Sequence, residues 1–150
     1  AAPEHTLERR RRSPYHDFHT ANFLVHRNLM LSHPFDLRFR RYGYEDVLFG
    51  KQMEQLSVPV THIDNPLSFE RFEANADFVS KTEEGLRTLC EFRSELQGYA
   101  RLLDIPAALY GPLRLWHRLF GRLERSCLTG TRPRLWLFKL YKLGYFASHI

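Results

Sequence analysis

Two periodicities organise the apolar positions of this chain. Between Phe18 and Val25 they alternate, with Phe18, Thr20, Asn22 and Leu24 on one face and Ala21, Phe23 and Val25 on the other. An extended segment that is apolar on much of both faces belongs inside a sheet, so the pattern predicts a central strand. Val58-Pro59-Val60-Thr61-His62-Ile63 predicts a second, β-branched strand, ended by the turn residues Asp64-Asn65-Pro66. Elsewhere the spacing is helical. Leu29–Leu31 reads as a short apolar helix closed by His33-Pro34. Phe49, Met53 and Leu56 recur at i, i+4 and i+7 and predict a helix over 44–56 with one buried face.

Val79, Leu86, Leu89, Leu96, Ala100 and Leu103 predict a single long helix over 76–103, capped by Asn75, with a core-facing stripe. After the break at Ile105-Pro106, Leu109, Leu113, Trp116, Phe120 and Leu123 form an apolar stripe over 107–125. Arg114, Arg118, Arg122 and Arg125 form a basic stripe beside it. The last segment, 134–146, sets Trp136, Phe138, Tyr141, Tyr145 and Phe146 among Arg134, Lys139 and Lys142. Strand, helix, strand and then helices only predict an α/β fold: a partial sheet with a helical C-terminal extension. A sheet of so few strands with both faces apolar implies further strands upstream.

Composition is that of a globular domain, with 43% hydrophobic and 26% charged residues over 150 positions, enough to bury a sizeable core. Charge changes the picture more. Residues 1–100 carry thirteen Lys and Arg against fifteen Asp and Glu, whereas residues 101–150 carry nine against two. The basic character belongs to the last third, which is where an anionic partner is expected. Arg9-Arg10-Arg11-Arg12 makes residues 1–17 a basic, flexible lead-in. Cys90 and Cys127 have no metal or redox spacing and read as free thiols. The start, Ala1-Ala2-Pro3-Glu4-His5, lacks the features of a signal peptide and points to a cut inside a longer chain. No run is long enough to span a membrane.

Candidate chemistry centres on Glu45-Asp46, which follow Gly43-Tyr44 at a predicted helix start. Two readings stay open there: carboxylates stabilised by the positive end of the helix macrodipole, or a catalytic base, Asp46, at the mouth of a site. His16, His19, His26 and His33 cross several element types and cannot share one helical face, so they make no metal site. His62 and Asp64 share a strand face and read as a structural pair. No nucleophile-elbow, zincin, Walker or dinucleotide motif is present. The aromatics of the basic third fall at helical core spacing, not on an RNA-binding strand platform, so no nucleic acid is expected. Two readings stay open for the basic amphipathic helix pair: it lies on an anionic membrane surface, or it packs on the domain and simply has Arg-rich outer faces.

The motif order then resembles a known family. Thr20–Arg27, Phe35-Asp36, Tyr42-Gly43-Tyr44-Glu45-Asp46-Val47-Leu48-Phe49-Gly50 and His62-Ile63-Asp64-Asn65-Pro66, in this sequence, are similar to family 2 glycosyltransferases of the GT-A type. Glu73, Asn75, Lys81-Thr82-Glu83 and the segment Phe138–Tyr145 continue the likeness to bacterial members. The resemblance implies that residues 18–104 are the C-terminal, acceptor-binding half of a GT-A domain and 105–150 a basic amphipathic extension. It implies Asp46 as the base of an inverting transfer from a nucleotide-sugar to a glycan or lipid-linked acceptor. Glu45, Gly43 and Tyr44 would bind the acceptor, and Asn22 and Arg27 would lie near the donor or acceptor pocket. Its work would be cell-surface polysaccharide biosynthesis at the cytoplasmic face of a membrane.

The family also implies a divalent metal, Mg or Mn, bound mostly by an Asp-x-Asp motif. No Asp-x-Asp occurs here, and Phe69 stands where relatives carry a His that joins the metal. Either His62 serves instead, or the metal has one ligand fewer, or activity has been lost. In the last case the alternative is an inactive interaction domain with a basic membrane- or partner-binding surface.

Overall fold

The computed structural model of the protein describes residues 6–65, 67 and 71–150. They group into two compact units, one drawn from residues within 1–40 and 44–69, the other from residues within 41–43 and 70–150.

The first unit holds three helices: α1 (Leu7–Arg12), α2 (Arg27–Ser32) and α3 (Glu45–Gln55). Helix α1 starts because the Thr6 hydroxyl accepts the Arg9 N–H at 3.4 Å, and its Glu8 and Arg12 pair one turn apart. Helix α3 carries the core on its inner face, where Leu48, Phe49 and Met53 are buried as their spacing predicts. Phe49 sits among Phe18, Phe23 and Phe35, with ring centroids 4.8 to 6.4 Å away in tilted and edge-on arrangements. Gly50 admits the preceding chain: a Cβ there would lie 2.4 Å from the Tyr15 carbonyl oxygen. At the other end, Ser57 takes φ 54°, and Ser57 N–H and Val58 N–H donate to the carbonyls of Glu54 and Met53. That is the Schellman closure, and it turns Val58 and Val60 onto the same core.

The α/β expectation is corrected here. Among the described residues there is no strand and no sheet, so the chain does not build a partial GT-A sheet. The two predicted strands fail differently. Over 58–63 the chain is extended, and its side chains alternate between half-buried and exposed, but no second chain supplies a ladder of hydrogen bonds. Over 18–25 even the two-faced burial is missing, since Leu24 is 100% exposed and only Phe18 is buried. Alternation in sequence therefore could not reveal whether a neighbouring strand exists, and over 18–25 the chain turns at 20–22.

The second unit is built on α4 (Asn75–Glu91), α5 (Tyr110–Thr129) and α6 (Leu135–His149). Helix α4 stops well short of residue 103. The chain continues through turns over 92–99, with Gly98 at φ 81°, and a 3₁₀ turn at Arg101–Asp104. Leu96 and Ala100 remain buried, so the apolar stripe persists after the helix has ended. Asn75 is the first helical residue, not the cap, and its side-chain amide donates to the Gly130 carbonyl at 2.6 Å. Helix α6 approaches α5 closely at Gly144, where an added Cβ would lie 2.9 Å from the His117 side chain; one turn along α5, Gly121 leaves room for the same ring, 2.8 Å from a Cβ there.

The face that α5 turns inward carries Gly121, Glu124 and Leu128, whereas Trp116, Phe120 and Leu123, expected in the core, are 41%, 39% and 63% exposed. Polar groups occupy much of this interior. Glu83 Oε1 accepts from Arg125 Nε and the Tyr141 hydroxyl, each at 2.7 Å, and Arg87 Nε donates to the Tyr145 hydroxyl at 2.8 Å. Glu124, 3% exposed, accepts from Trp116 Nε1 at 2.8 Å. No helix of the described residues is long and apolar enough to cross a membrane.

Candidate functional site

The strongest local chemistry lies in the first unit, at the start of α3. Two consecutive residues, Gly43 at φ 100° and Tyr44 at φ 69°, take left-handed backbone conformations ahead of Glu45. For tyrosine that conformation is uncommon and strained, a cost that structures keep most often at turns with a function. Tyr44 then serves as the N-cap without a side-chain bond, and its carbonyl accepts the Leu48 N–H at 3.0 Å. The first turn therefore has open N–H groups and an acidic pair to meet them.

Asp46 is aimed by two contacts. Its Oδ1 accepts the Val47 N–H at 2.8 Å, and its Oδ2 lies 3.4 Å from His19 Nδ1. The carboxylate is 22% exposed and the imidazole 53%, so the pair opens to solvent on the histidine side. The bond to Asp46 raises the His19 pKa against the lowering effect of partial burial, with the charges of Asp46 and Asp17 adding to the rise and that of Arg10 opposing it. Glu45 has one carboxylate oxygen, Oε2, shut away from water with no hydrogen-bond donor, and Arg10 Nε is likewise buried without an acceptor. Unpaired buried groups of this kind cost about 1–3 kcal/mol each.

The other expected residues are placed elsewhere. Among the described residues the hydrogen bonds of Asp46 go to Val47 N–H and His19, and those of Asn22 and His62 go elsewhere. Asn22 donates through Nδ2 to the Asn65 carbonyl at 3.0 Å, which fixes one extended segment against another. Arg27 is the exposed first residue of α2. His62 Nε2 bonds the Pro14 carbonyl at 2.9 Å, not Asp64. Asp36 is enclosed by the Arg38 guanidinium and backbone N–H, which hold its carboxyl below the usual range. Gly43 packs in the second unit, where a Cβ would approach Gly85 Cα at 3.1 Å. Phe69 lies outside the described residues.

Metal chemistry finds no support in these side chains. Among the described residues no three His, Cys, Asp or Glu groups gather as a ligand set, and Nε2 of His62 is engaged by the Pro14 carbonyl. A cavity of about 210 Å³ in the second unit is walled by Phe78, Val79, Leu128 and Phe138 and contains no carboxylate, so it offers apolar contact and no acid–base step.

His19 is the residue that sequence reasoning passed over as a partner for Asp46. It stood only among four histidines judged against a metal site, and no local signal connects it to a residue 27 positions away. Neither a protein-family model, nor a curated protein, nor a solved structure matches this chain.

Proposed function

We propose that the chain carries the acceptor side of an inverting glycosyltransferase, with Asp46 as the base. The observation that carries this reading is the Asp46 carboxylate at the head of α3, held by Val47 N–H and paired with the half-exposed, titratable His19. In the step, the acceptor O–H proton passes to Asp46 while the oxygen forms a bond to the anomeric carbon of a nucleotide-sugar. The bond from that carbon to the nucleotide diphosphate breaks on the opposite face, and the diphosphate leaves with the electron pair. A sugar hydroxyl is a poor nucleophile until its proton has somewhere to go, and a positioned base contributes roughly 10²–10⁴-fold. Glu45, half-buried beside Asp46, is assigned to a second hydroxyl of the acceptor.

The acceptor on this reading is a glycan or a lipid-linked sugar of the cell surface, met at the cytoplasmic face of a membrane. Donor binding is assigned to residues outside these 150, because no Asp-x-Asp occurs among them.

The test is Asp46→Asn in the protein assayed for release of nucleoside diphosphate from a panel of nucleotide-sugars with glycan acceptors. Turnover should fall roughly 10²–10⁴-fold with the circular dichroism unchanged. Wild-type turnover by the variant would remove Asp46 from the mechanism.

A further inference from the structure

Helix α5 presents its bulkiest side chains to solvent. Leu115 is 60% exposed, Trp116 41%, Leu119 65%, Phe120 39% and Leu123 63%. At about 100° per residue these positions share one continuous face, opposite the strip of Gly121, Glu124 and Leu128 that packs inward. A ridge of five large apolar groups on one helix is not the scatter of single exposed leucines found on most surfaces. At the start of α6, Leu135 (69%) and Trp136 (59%) are exposed in the same unit.

The charges beside the ridge are of one sign. Arg114, Arg118, Arg122 and Arg125 run along one flank of α5. Two of them serve the fold: Arg114 donates to the Ala147 carbonyl at 2.6 Å, and Arg125 holds Glu83 and Ser80. Arg118 and Arg122, the pair in the middle of the flank, are exposed and have no carboxylate partner among the described residues. The single acid in residues 105–150 is Glu124, which is buried against Trp116. Nothing anionic on this helix offsets the arginines.

We infer that α5 lies flat on an anionic lipid surface, with Leu115, Trp116, Leu119, Phe120 and Leu123 in the acyl boundary and Arg118 and Arg122 among the headgroups. A convex ridge with no matching groove needs a partner that yields to its shape, and a bilayer interface does so. Two copies of this face would bring their arginine flanks toward one another, which disfavours self-pairing. The inference is independent of the Asp46 chemistry, which sits in the other unit.

The experiment uses the full chain with two kinds of vesicle, phosphatidylcholine alone and phosphatidylcholine mixed with phosphatidylserine. Trp116 and Trp136 are the only tryptophans, so emission reports the second unit alone. The expected result is co-sedimentation with the mixed vesicles, a blue shift of the emission, and release by salt. Changing Arg118→Gln and Arg122→Gln together should weaken partition roughly thirty-fold, about fivefold for each basic residue lost at an anionic surface. Leu119→Glu should abolish it, and being on an exposed position it should leave the helix content unchanged. Asp46→Asn should partition like the parent. Equal binding to both vesicle types, retained binding by Leu119→Glu, or a concentration-dependent dimer that Leu119→Glu dissolves would each overturn the inference.

Discussion

The two units place apolar and ionisable groups in opposite ways. In the first, the aromatic rings of Phe18 and Phe49 turn inward, and the pair His19–Asp46 stands at a strained, solvent-reaching helix start. In the second, Glu83, Glu124 and His117 lie between helices while Leu119, Leu123 and Trp136 face water. The first unit is cohesive by ring packing and offers chemistry at its rim. The second is cohesive by packing together with buried polar contacts and offers an apolar surface. The difference teaches that one chain can use the same residue types for core and for contact, and that only the neighbours of each helix decide which.

Removing a ring tests this contrast most severely. Phe49 is 2% exposed at the centre of four aromatics, so Phe49→Ala should cost about 3–5 kcal/mol. Phe120, 39% exposed beside Trp116, should cost about 1 kcal/mol or less when made Ala. Amide hydrogen exchange read residue by residue distinguishes them, with protection lost through α3 in the first variant and almost unchanged in the second. Equal losses would mean that the exposed ridge of α5 is packed in solution.

Adding a methyl group probes the two close approaches. Gly50→Ala drives a Cβ into the Tyr15 carbonyl, a backbone atom that cannot swing aside, so it should cost about 3 kcal/mol. Gly121→Ala meets the ring of His117, which can rotate, and should cost nearer 1 kcal/mol. Urea titration of both variants gives the order, and a reversed order would show that the packing around the His117 ring is the more rigid.

Acidity should move the two units in opposite directions. His19 has its folded pKa raised by Asp46, so its contribution is fully present below about 6.5, its unfolded value, and fades as pH rises through the folded value. His117 has its folded pKa lowered, first by burial, so its neutral form is favoured in the folded state and stability falls as pH drops below about 6.5. Histidine ring titrations followed by NMR should place His19 above and His117 below the unfolded value. Asp46→Asn should bring His19 down and leave His117 in place.

Much of the helical framework was legible in advance. Phe49 and Met53 fixed the inner face of α3, and the Ile105-Pro106 break separated the later helices from what precedes them. Two features were not legible for physical reasons. Alternation over 18–25 and 58–63 contains no information on a pairing partner, so a sheet was expected where none forms among the described residues, and residues 20–22 turn instead of extending. The apolar stripe of α5 shows amphipathicity without saying which side α6 covers; Gly144, the small residue of α6 that admits the His117 side chain of α5, was the overlooked pointer. The site was half legible. Glu45-Asp46 stood out as adjacent carboxylates after Gly43, whereas His19 joined them only through the fold.

The smallest effect concerns the backbone that closes α3. Ser57 occupies φ 54°, the conformation in which glycine has no Cβ penalty, and its N–H completes the closure with Glu54. Ser57→Gly relieves that strain but enlarges the freedom of the unfolded chain, so the net gain should be a few tenths of a kcal/mol. Tyr44 has a similar φ of 69°, yet its strain sits at the head of the candidate site. Tyr44→Gly should give a comparable gain in melting temperature while reducing transfer, because relaxed backbone no longer holds Asp46 in place. Strain at Ser57 is then a packing cost that can be removed without consequence, and strain at Tyr44 is part of how the carboxylate is aimed. If Tyr44→Gly stabilises the protein and leaves turnover untouched, the left-handed tyrosine is only a turn, and the two ends of α3 cease to differ.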